Sequence, residues 1–221
     1  MYIIPDDNKF FPHPLLVDDL EVLAVGGSLT PENLLTAYTF GIFPWYNDFP
    51  IYWWNTHPRC VLFPEKLKVS KSMRPYFNQN KFQVTFDQGF EEIIRHCGQV
   101  KRRNQEGTWL NEDLIQVFCH LHSEGYAKCV GVYDQERLVG GLYGLHIGKI
   151  FFGESMFSLI PNASKFGFIS MVKKLKAEGI MLIDCQQETK HLMSLGASTL
   201  TKFEFWSYIR KNLRFSLQKS E

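Results

Sequence analysis

No run in this 221-residue chain approaches the roughly 18–20 consecutive apolar residues that a membrane-spanning helix needs. The N-terminus, Met1-Tyr2-Ile3-Ile4-Pro5-Asp6-Asp7, has neither the basic flank nor the apolar stretch of a secretory signal. No membrane partner is therefore expected, and the cytoplasm is the expected compartment. Cysteine is sparse: Cys60, Cys97, Cys119, Cys129 and Cys185 are odd in number and far apart, with no Cys-x-x-Cys pair to grip zinc, so reduced thiols are expected. An excess of charge of one sign is missing too. The formal net charge is +1, so a nucleic-acid face would have to come from local clustering rather than from the sum. There is no Gly-x-Ser-x-Gly elbow and no His-Glu-x-x-His, and His120 and His122, two apart on an expected helix, point to different faces. A serine hydrolase and a zinc enzyme are both disfavoured. Internal repeats and low-complexity tracts are absent as well.

What is present is a chain 45% hydrophobic and 21% charged, long enough to bury a full core. Residues 5–60 are rich in Pro, Gly and aromatics and read as compact but turn-dominated. One helix stands out there, with Thr30 to cap it, Pro31 at its first position, apolar Leu34, Leu35 and Tyr38, and Gly41 as the stop. From about residue 59 strands and helices alternate. Phe82 to Phe86 reads as extended, Asp87 to His96 and Asn111 to Ser123 as helical. Cys129 to Tyr133 and Leu138 to Leu145 read as a hairpin across the polar turn Asp134-Gln135-Glu136-Arg137. Ile150 to Ser158 is a further strand, and Asn162 opens a helix with an apolar stripe through Phe168, Met171, Val172 and Leu175, ending at Gly179. The apolar run Ile180 to Ile183 reads as a buried strand that delivers Asp184-Cys185-Gln186 at its C-terminal end. A short helix, Glu188 to Leu195, and a last strand and helix within Ser198 to Leu213 follow. The expected class is α+β, with a small N-terminal domain over 1–58 and a larger domain over 59–221.

Polar residues in apolar surroundings are the chemical signal. Glu154 lies between Phe151-Phe152-Gly153 and Ser155-Met156-Phe157, and Asp184 and Gln186 follow a buried strand, where an unpaired polar group is costly. Regular alternation would put Asp184 and Gln186 on one face and Cys185 on the other. Read alone, these residues fit a catalytic site and a structural hydrogen-bond network equally well. Gly140-Gly141-Leu142-Tyr143-Gly144 is interior to a β run and suits close backbone approach better than a phosphate cradle. Two basic clusters, Lys66, Lys68, Lys71, Arg74 and Lys81, then Lys101, Arg102 and Arg103, are either phosphate-tracking surfaces or ordinary solvated faces.

Taken in order, Leu23-Ala24-Val25-Gly26-Gly27-Ser28-Leu29-Thr30-Pro31, Gly41-Ile42-Phe43-Pro44-Trp45-Tyr46, Trp53-Trp54 with Pro58-Arg59, Gly107-Thr108-Trp109, Gly153-Glu154-Ser155-Met156-Phe157-Ser158, Asn162-Ala163-Ser164-Lys165, Ile183-Asp184-Cys185-Gln186 and Ser194-Leu195-Gly196-Ala197 resemble the leucyl/phenylalanyl-tRNA–protein transferase family over almost the whole chain. The resemblance implies that Leu, Phe or, less well, Met moves from its tRNA to proteins beginning with Arg or Lys, marking them for N-end-rule degradation. It also implies that the larger domain is similar to the Gcn5-related N-acetyltransferase fold.

Aminolysis of an already activated ester needs no cofactor or metal, so none is expected, and a monomer suffices. The resemblance assigns catalysis to Asp184, Gln186 and Glu154, with Asp184 orienting the amine or accepting its proton and holding Gln186. It assigns the aminoacyl pocket to Leu142, Met156, Phe168, Met171 and Ile183. The terminal adenine would meet Trp45, Trp109 and Tyr38, and the acceptor stem Lys68, Lys71, Arg74 and Lys81. Phe168, Ser28 and Gly131 depart from the family pattern. An acetyl-CoA-dependent acetyltransferase and a non-catalytic RNA-binding module are the rival readings. The first lacks a glycine-containing pyrophosphate loop at Ile160 to Lys165, and the second leaves Glu154, Asp184 and Gln186 unexplained.

Overall fold

A computed structural model of the chain describes residues 1–6, 10–17, 21–46, 48–99 and 110–213. Its first part is more regular than the Pro- and Gly-rich sequence suggests. Strands β1 (Tyr2–Ile4) and β2 (Val22–Gly26) are followed by helix α1 (Pro31–Thr39), then β3 (Phe43–Pro44) and β4 (Tyr52–Trp54), and the four strands form one sheet in the order β1-β2-β4-β3. Thr30 caps α1 by accepting the Asn33 N–H at 3.2 Å, and Gly41 ends the segment at φ +70. A Cβ on Gly41 would meet Phe205 at 2.7 Å, so glycine is required there by space as well as by backbone conformation.

The second part begins at β5 (Arg59–Leu62) and continues through α2 (Arg74–Asn78), β6 (Gln83–Phe86), α3 (Phe90–Gly98), α4 (Glu112–Ser123), β7 (Ala127–Asp134), β8 (Arg137–Ile147), β9 (Ile150–Ser158), α5 (Ala163–Ala177), β10 (Leu182–Gln186), α6 (Lys190–Ser194), β11 (Ser198–Leu200) and α7 (Lys202–Leu213). The sheet order is β11-β5-β10-β9-β8-β7-β6, and β9 with β10 is its parallel pair. Helices and sheets together make the molecule α+β.

Alternation along the strands divides the core between the two faces of the large sheet. Cys129, Tyr143 and Phe152 face one side with Tyr38 of α1, Phe118 of α4 and Phe205 of α7, while Val130, Leu142, Phe151 and Ile183 face the other with Phe168, Met171 and Val172 of α5. Close approach explains the glycines of β8: a Cβ on Gly140 would lie 2.8 Å from Ala163, and one on Gly144 would lie 2.1 Å from the Phe152 carbonyl oxygen. Several boundaries differ from expectation, three of them for a visible local reason. Helix α3 starts at Phe90 rather than Asp87, because Asp87 and Gly89 take φ 57 and 64. Asn162 precedes α5 at φ 70 without a side-chain cap, and its amide donates to the Tyr76 hydroxyl at 3.0 Å. Ile180 closes the end of α5 by bonding the Leu175 carbonyl, so β10 begins at Leu182 and includes Asp184 and Gln186 rather than ending before them.

Candidate active site

Two irregularities on the neighbouring strands β9 and β10 build the site. The β8–β9 register passes from Tyr143↔Ser155 to Gly144↔Gly153, leaving Glu154 as the extra residue of a bulge. The β5–β10 register passes from Val61↔Asp184 to Cys60↔Gln186, leaving Cys185 as the extra residue of another. A bulge bends its strand and re-aims side chains, which is why bulges gather at binding sites. Gln186 has φ 60, a conformation that costs a residue with a Cβ on the order of 1–3 kcal/mol and persists only where its surroundings hold it.

Those surroundings are charged and dry. Asp184 and Arg59 are both 0% exposed and form a two-pronged pair, Arg59 Nε to Asp184 Oδ1 at 2.8 Å and Arg59 Nη2 to Asp184 Oδ2 at 2.6 Å. The guanidinium carbon lies 4.9 Å from the Phe43 ring centre and 4.8 Å from that of Phe205. Asp184 Oδ1 also accepts the Gln186 backbone N–H at 2.9 Å. The Gln186 side chain turns to Glu154, donating from Nε2 to Oε1 at 3.1 Å, and the Tyr38 hydroxyl donates to the same oxygen at 2.6 Å. Glu154 is thus buried among neutral donors, and burial is the main reason its carboxyl is pushed up from 4.5 to about 8. The Tyr38 bond and the Arg59 charge pull it down, while the Asp184 charge pushes it up. Tyr38 is raised well above the usual phenol range, first by burial and then by Glu154.

Glu154 and Gln186 form a polar corner of a cavity of about 400 Å³, in the size range of small-molecule sites, whose lining also includes Ser155, Gln187 and Thr189. Leu142, Phe151, Met156, Phe168 and Ile183 supply much of its apolar lining, and Phe43 and Trp45 line it too. One side of Trp45 packs against Trp54, with ring centres 5.2 Å apart. Cys185 also lines the cavity, and its hydrogen bond to the Cys60 thiol lowers Cys60 and raises Cys185.

A family model described as leucyl/phenylalanyl-tRNA protein transferase matches residues 61–210, and one described as the N-terminal domain of the same transferase matches residues 27–57. A leucyl/phenylalanyl-tRNA–protein transferase of Christiangramia forsetii is 51% identical over 95% of this chain and 100% of its own length. The chain belongs to the leucyl/phenylalanyl-tRNA protein transferase family, a family of aminoacyltransferases. A transferase of that name from Flavobacterium johnsoniae is 48% identical over 95% of this chain and 99% of its own. A solved structure, described as a conserved protein of unknown function from Bacteroides thetaiotaomicron, is similar with a TM-score of 0.45 at 14% identity, over 61% of this chain and 52% of its own.

Set against the residues expected from resemblance to the transferase family, the structure brings Leu142, Met156, Phe168, Ile183, Glu154, Gln186 and Trp45 to one cavity. It treats three others differently. Met171, expected in the aminoacyl pocket, is 2% exposed in the core beneath α5 and is not among the cavity-lining residues. Tyr38, expected at the adenine, is 0% exposed, so its ring meets Phe152 at 5.1 Å and its hydroxyl meets Glu154 instead. Asp184, expected to hold Gln186 and meet the amine, does hold Gln186, through its backbone N–H, but has both oxygens on Arg59. Trp109 lies outside the described residues, as do Lys101, Arg102 and Arg103. Lys68, Lys71, Arg74 and Lys81 are exposed along the segment that leads into and out of α2, and Lys81 sits 5.1 Å over the Tyr76 ring. The same flank carries Lys173, 4.3 Å over Phe77. Arg59 was the residue missed. A lone Arg inside the fully buried strand Arg59–Leu62 was the available signal, because a charge in such a place needs a partner.

Proposed function

We propose that the chain moves Leu and Phe, and less well Met, from aminoacyl-tRNA to the N-terminal α-amine of proteins that begin with Arg or Lys. The amine nitrogen attacks the ester carbonyl, the new C–N bond forms, and the bond to the ribose oxygen breaks. That oxygen leaves with a proton, and no cofactor or metal enters the step. The product is destined for N-end-rule degradation in the cytoplasm, and one copy of the chain is sufficient.

A cavity lined largely by apolar side chains, with a polar corner at Glu154 and Gln186, supports this reading most directly. Burying a Leu or Phe side chain against Leu142, Met156, Phe168 and Ile183 is worth about 1.5–3 kcal/mol, and the adaptable Met156 suits both shapes. Such a pocket separates neighbours by only about 1–3 kcal/mol per methylene, in keeping with several accepted side chains. Trp45, with Trp109, takes the terminal adenine by stacking, worth about 1–3 kcal/mol per base. Lys68, Lys71, Arg74 and Lys81 take phosphates of the acceptor stem, and Lys173 extends their flank. Tyr38 acts one step removed, by holding Glu154.

Proton handling falls to Glu154 in this reading rather than to Asp184. An α-amine has a reference pKa of about 7.7–8.0, so a useful fraction is neutral near pH 7, and Glu154, raised to about 8, titrates close to that operating pH, where a general base is most useful. Gln186, fixed by its bond to Glu154, directs its side-chain carbonyl at the amine. Positioning contributes about 7–11 kcal/mol when geometry is good, more than a base usually adds. The division into residues 1–58 and 59–221, and a likeness of the second part to the Gcn5-related N-acetyltransferase fold, belong to the same reading. The mixed seven-stranded sheet with helices on both faces is compatible with that likeness.

Incubation with radiolabelled Leu-tRNA, acetyl-CoA and a peptide beginning with Arg tests the reading. Leu is expected to appear on the peptide. Transfer of the acetyl group, or tight tRNA binding with no transfer, would instead favour an acetyltransferase or an RNA-binding module.

A further inference from the structure

We propose that Arg59 is a positioning residue of the transfer site: through Asp184 and Thr56 it holds both peptide groups of Gln186 in the left-handed conformation that turns the Gln186 side chain toward Glu154 and the cavity. The inference rests on the aminoacyl-transfer reading above. Arg59 Nη1 donates to Thr56 Oγ1 at 3.4 Å, and Thr56 Oγ1 in turn donates to the Gln186 carbonyl oxygen at 3.5 Å. Arg59 Nε and the Gln186 backbone N–H both donate to Asp184 Oδ1, at 2.8 and 2.9 Å. The guanidinium therefore reaches the amide on each side of Gln186, once through a carboxylate and once through a hydroxyl.

Direct roles for the pair are excluded by its surroundings. Arg59 is enclosed by Phe43 and Phe205 and does not line the cavity, so it has no access to a substrate phosphate or carboxylate. Asp184 is fully buried with both oxygens on Arg59, so it is not available to the amine. Stability alone does not call for such a pair either. Apolar residues of similar volume often replace a buried ion pair without loss, whereas removing one partner leaves a stranded charge. What apolar residues cannot supply is an acceptor for the Gln186 N–H at the β10 bulge. Without it the left-handed backbone has no support on that side, and the carboxamide is free to leave Glu154.

The double substitution Arg59→Met with Asp184→Leu removes both charges together and so avoids a stranded one. Single-turnover transfer of Leu from saturating Leu-tRNA to an Arg-initiated peptide is expected to fall about 100-fold, with affinity for Leu-tRNA within about threefold of wild type. Asp184 and Arg59 bias the Glu154 proton in opposite senses, so removing both together is expected to shift the pH dependence of the residual rate less than removing either alone. Arg59→Lys is not expected to restore the rate, since an ammonium cannot bridge a carboxylate and a hydroxyl as the planar guanidinium does. Thr56→Val, near-isosteric, tests the other arm without touching a charge. It is expected to lower the rate about tenfold, with a modest fall in melting temperature from the two hydrogen bonds it deletes.

A double variant that melts like the wild type and transfers within about threefold of it overturns the proposal. Should the double variant fail to fold, a wild-type rate in Thr56→Val overturns it in the same way. A wild-type chain that transfers no Leu overturns the transfer reading and this proposal with it, a failure told apart because it precedes any substitution.

Discussion

The bulges of β9 and β10 each hold a carboxylate out of water, and they treat it in opposite ways. On β10, Asp184 has a guanidinium on both oxygens and is closed off from the cavity. On β9, Glu154 has a phenol and a carboxamide on one oxygen, no cation in contact among the described residues, and a place on the cavity wall. The first arrangement keeps a charge and fixes geometry. The second, by burial without a counter-charge, raises proton affinity to about 8 and leaves the group able to exchange a proton near neutral pH. Two acids on adjacent strands thus divide the work of holding and reacting, through their partners rather than through residue type.

The contrast is broken most severely at Asp184. Asp184→Ala leaves Arg59 buried without its counter-charge, and a loss of about 3–5 kcal/mol of stability is expected in chemical denaturation. Glu154→Gln removes the reactive member while keeping its shape. Transfer is expected to fall about 100-fold, measured in single turnover with saturating Leu-tRNA.

The same substitution has a sign in stability. Because Glu154 is raised from 4.5 to about 8, the folded chain keeps a proton that the unfolded chain releases between those values. The group's contribution to stability is full below about 4.5 and lost as pH rises through about 8. The wild type is thus expected to lose ground to Glu154→Gln as pH rises across that window, in thermal unfolding at a series of pH values. Tyr38→Phe sharpens the comparison more gently. It deletes the bond that lowers Glu154, so the acidic limb of the rate profile, where Glu154 gains the proton that stops it acting as a base, is expected to move to higher pH, with a loss of about tenfold or less at neutral pH. At the surface the effect is smallest per residue: replacing Lys71 and Arg74 with Ala is expected to leave the chemical step alone and to flatten the salt dependence of tRNA binding by about one unit per lost phosphate contact.

Much of the frame was legible. Thr30, Pro31 and Gly41 mark α1 because capping, a fixed φ and a left-handed stop are local requirements. The β7–β8 hairpin reads from its polar turn, where Asp134 pairs with Arg137 and Gln135 takes φ 55. Glu154 and Gln186 were conspicuous as polar residues in apolar runs. What alternation could not reveal was the bulge at Cys185, since a period of two assumes that no residue is extra, and the bulge is what sends Gln186 to Glu154 while Asp184 turns to Arg59. The Arg59–Asp184 pair spans 125 positions, beyond the reach of local pattern. The first sheet was hidden because its strands are very short and threaded with Pro, Gly and Trp, so no period could establish itself.

A structure with a non-hydrolysable leucyl-adenosine mimic soaked into the protein addresses the central claim most directly. The account predicts the leucyl side chain against Leu142, Met156 and Ile183, the adenine on Trp45, and the acyl carbon within about 4 Å of the Glu154 and Gln186 side chains. A mimic bound with its acyl carbon far from that corner, or with its side chain outside the cavity, would contradict it.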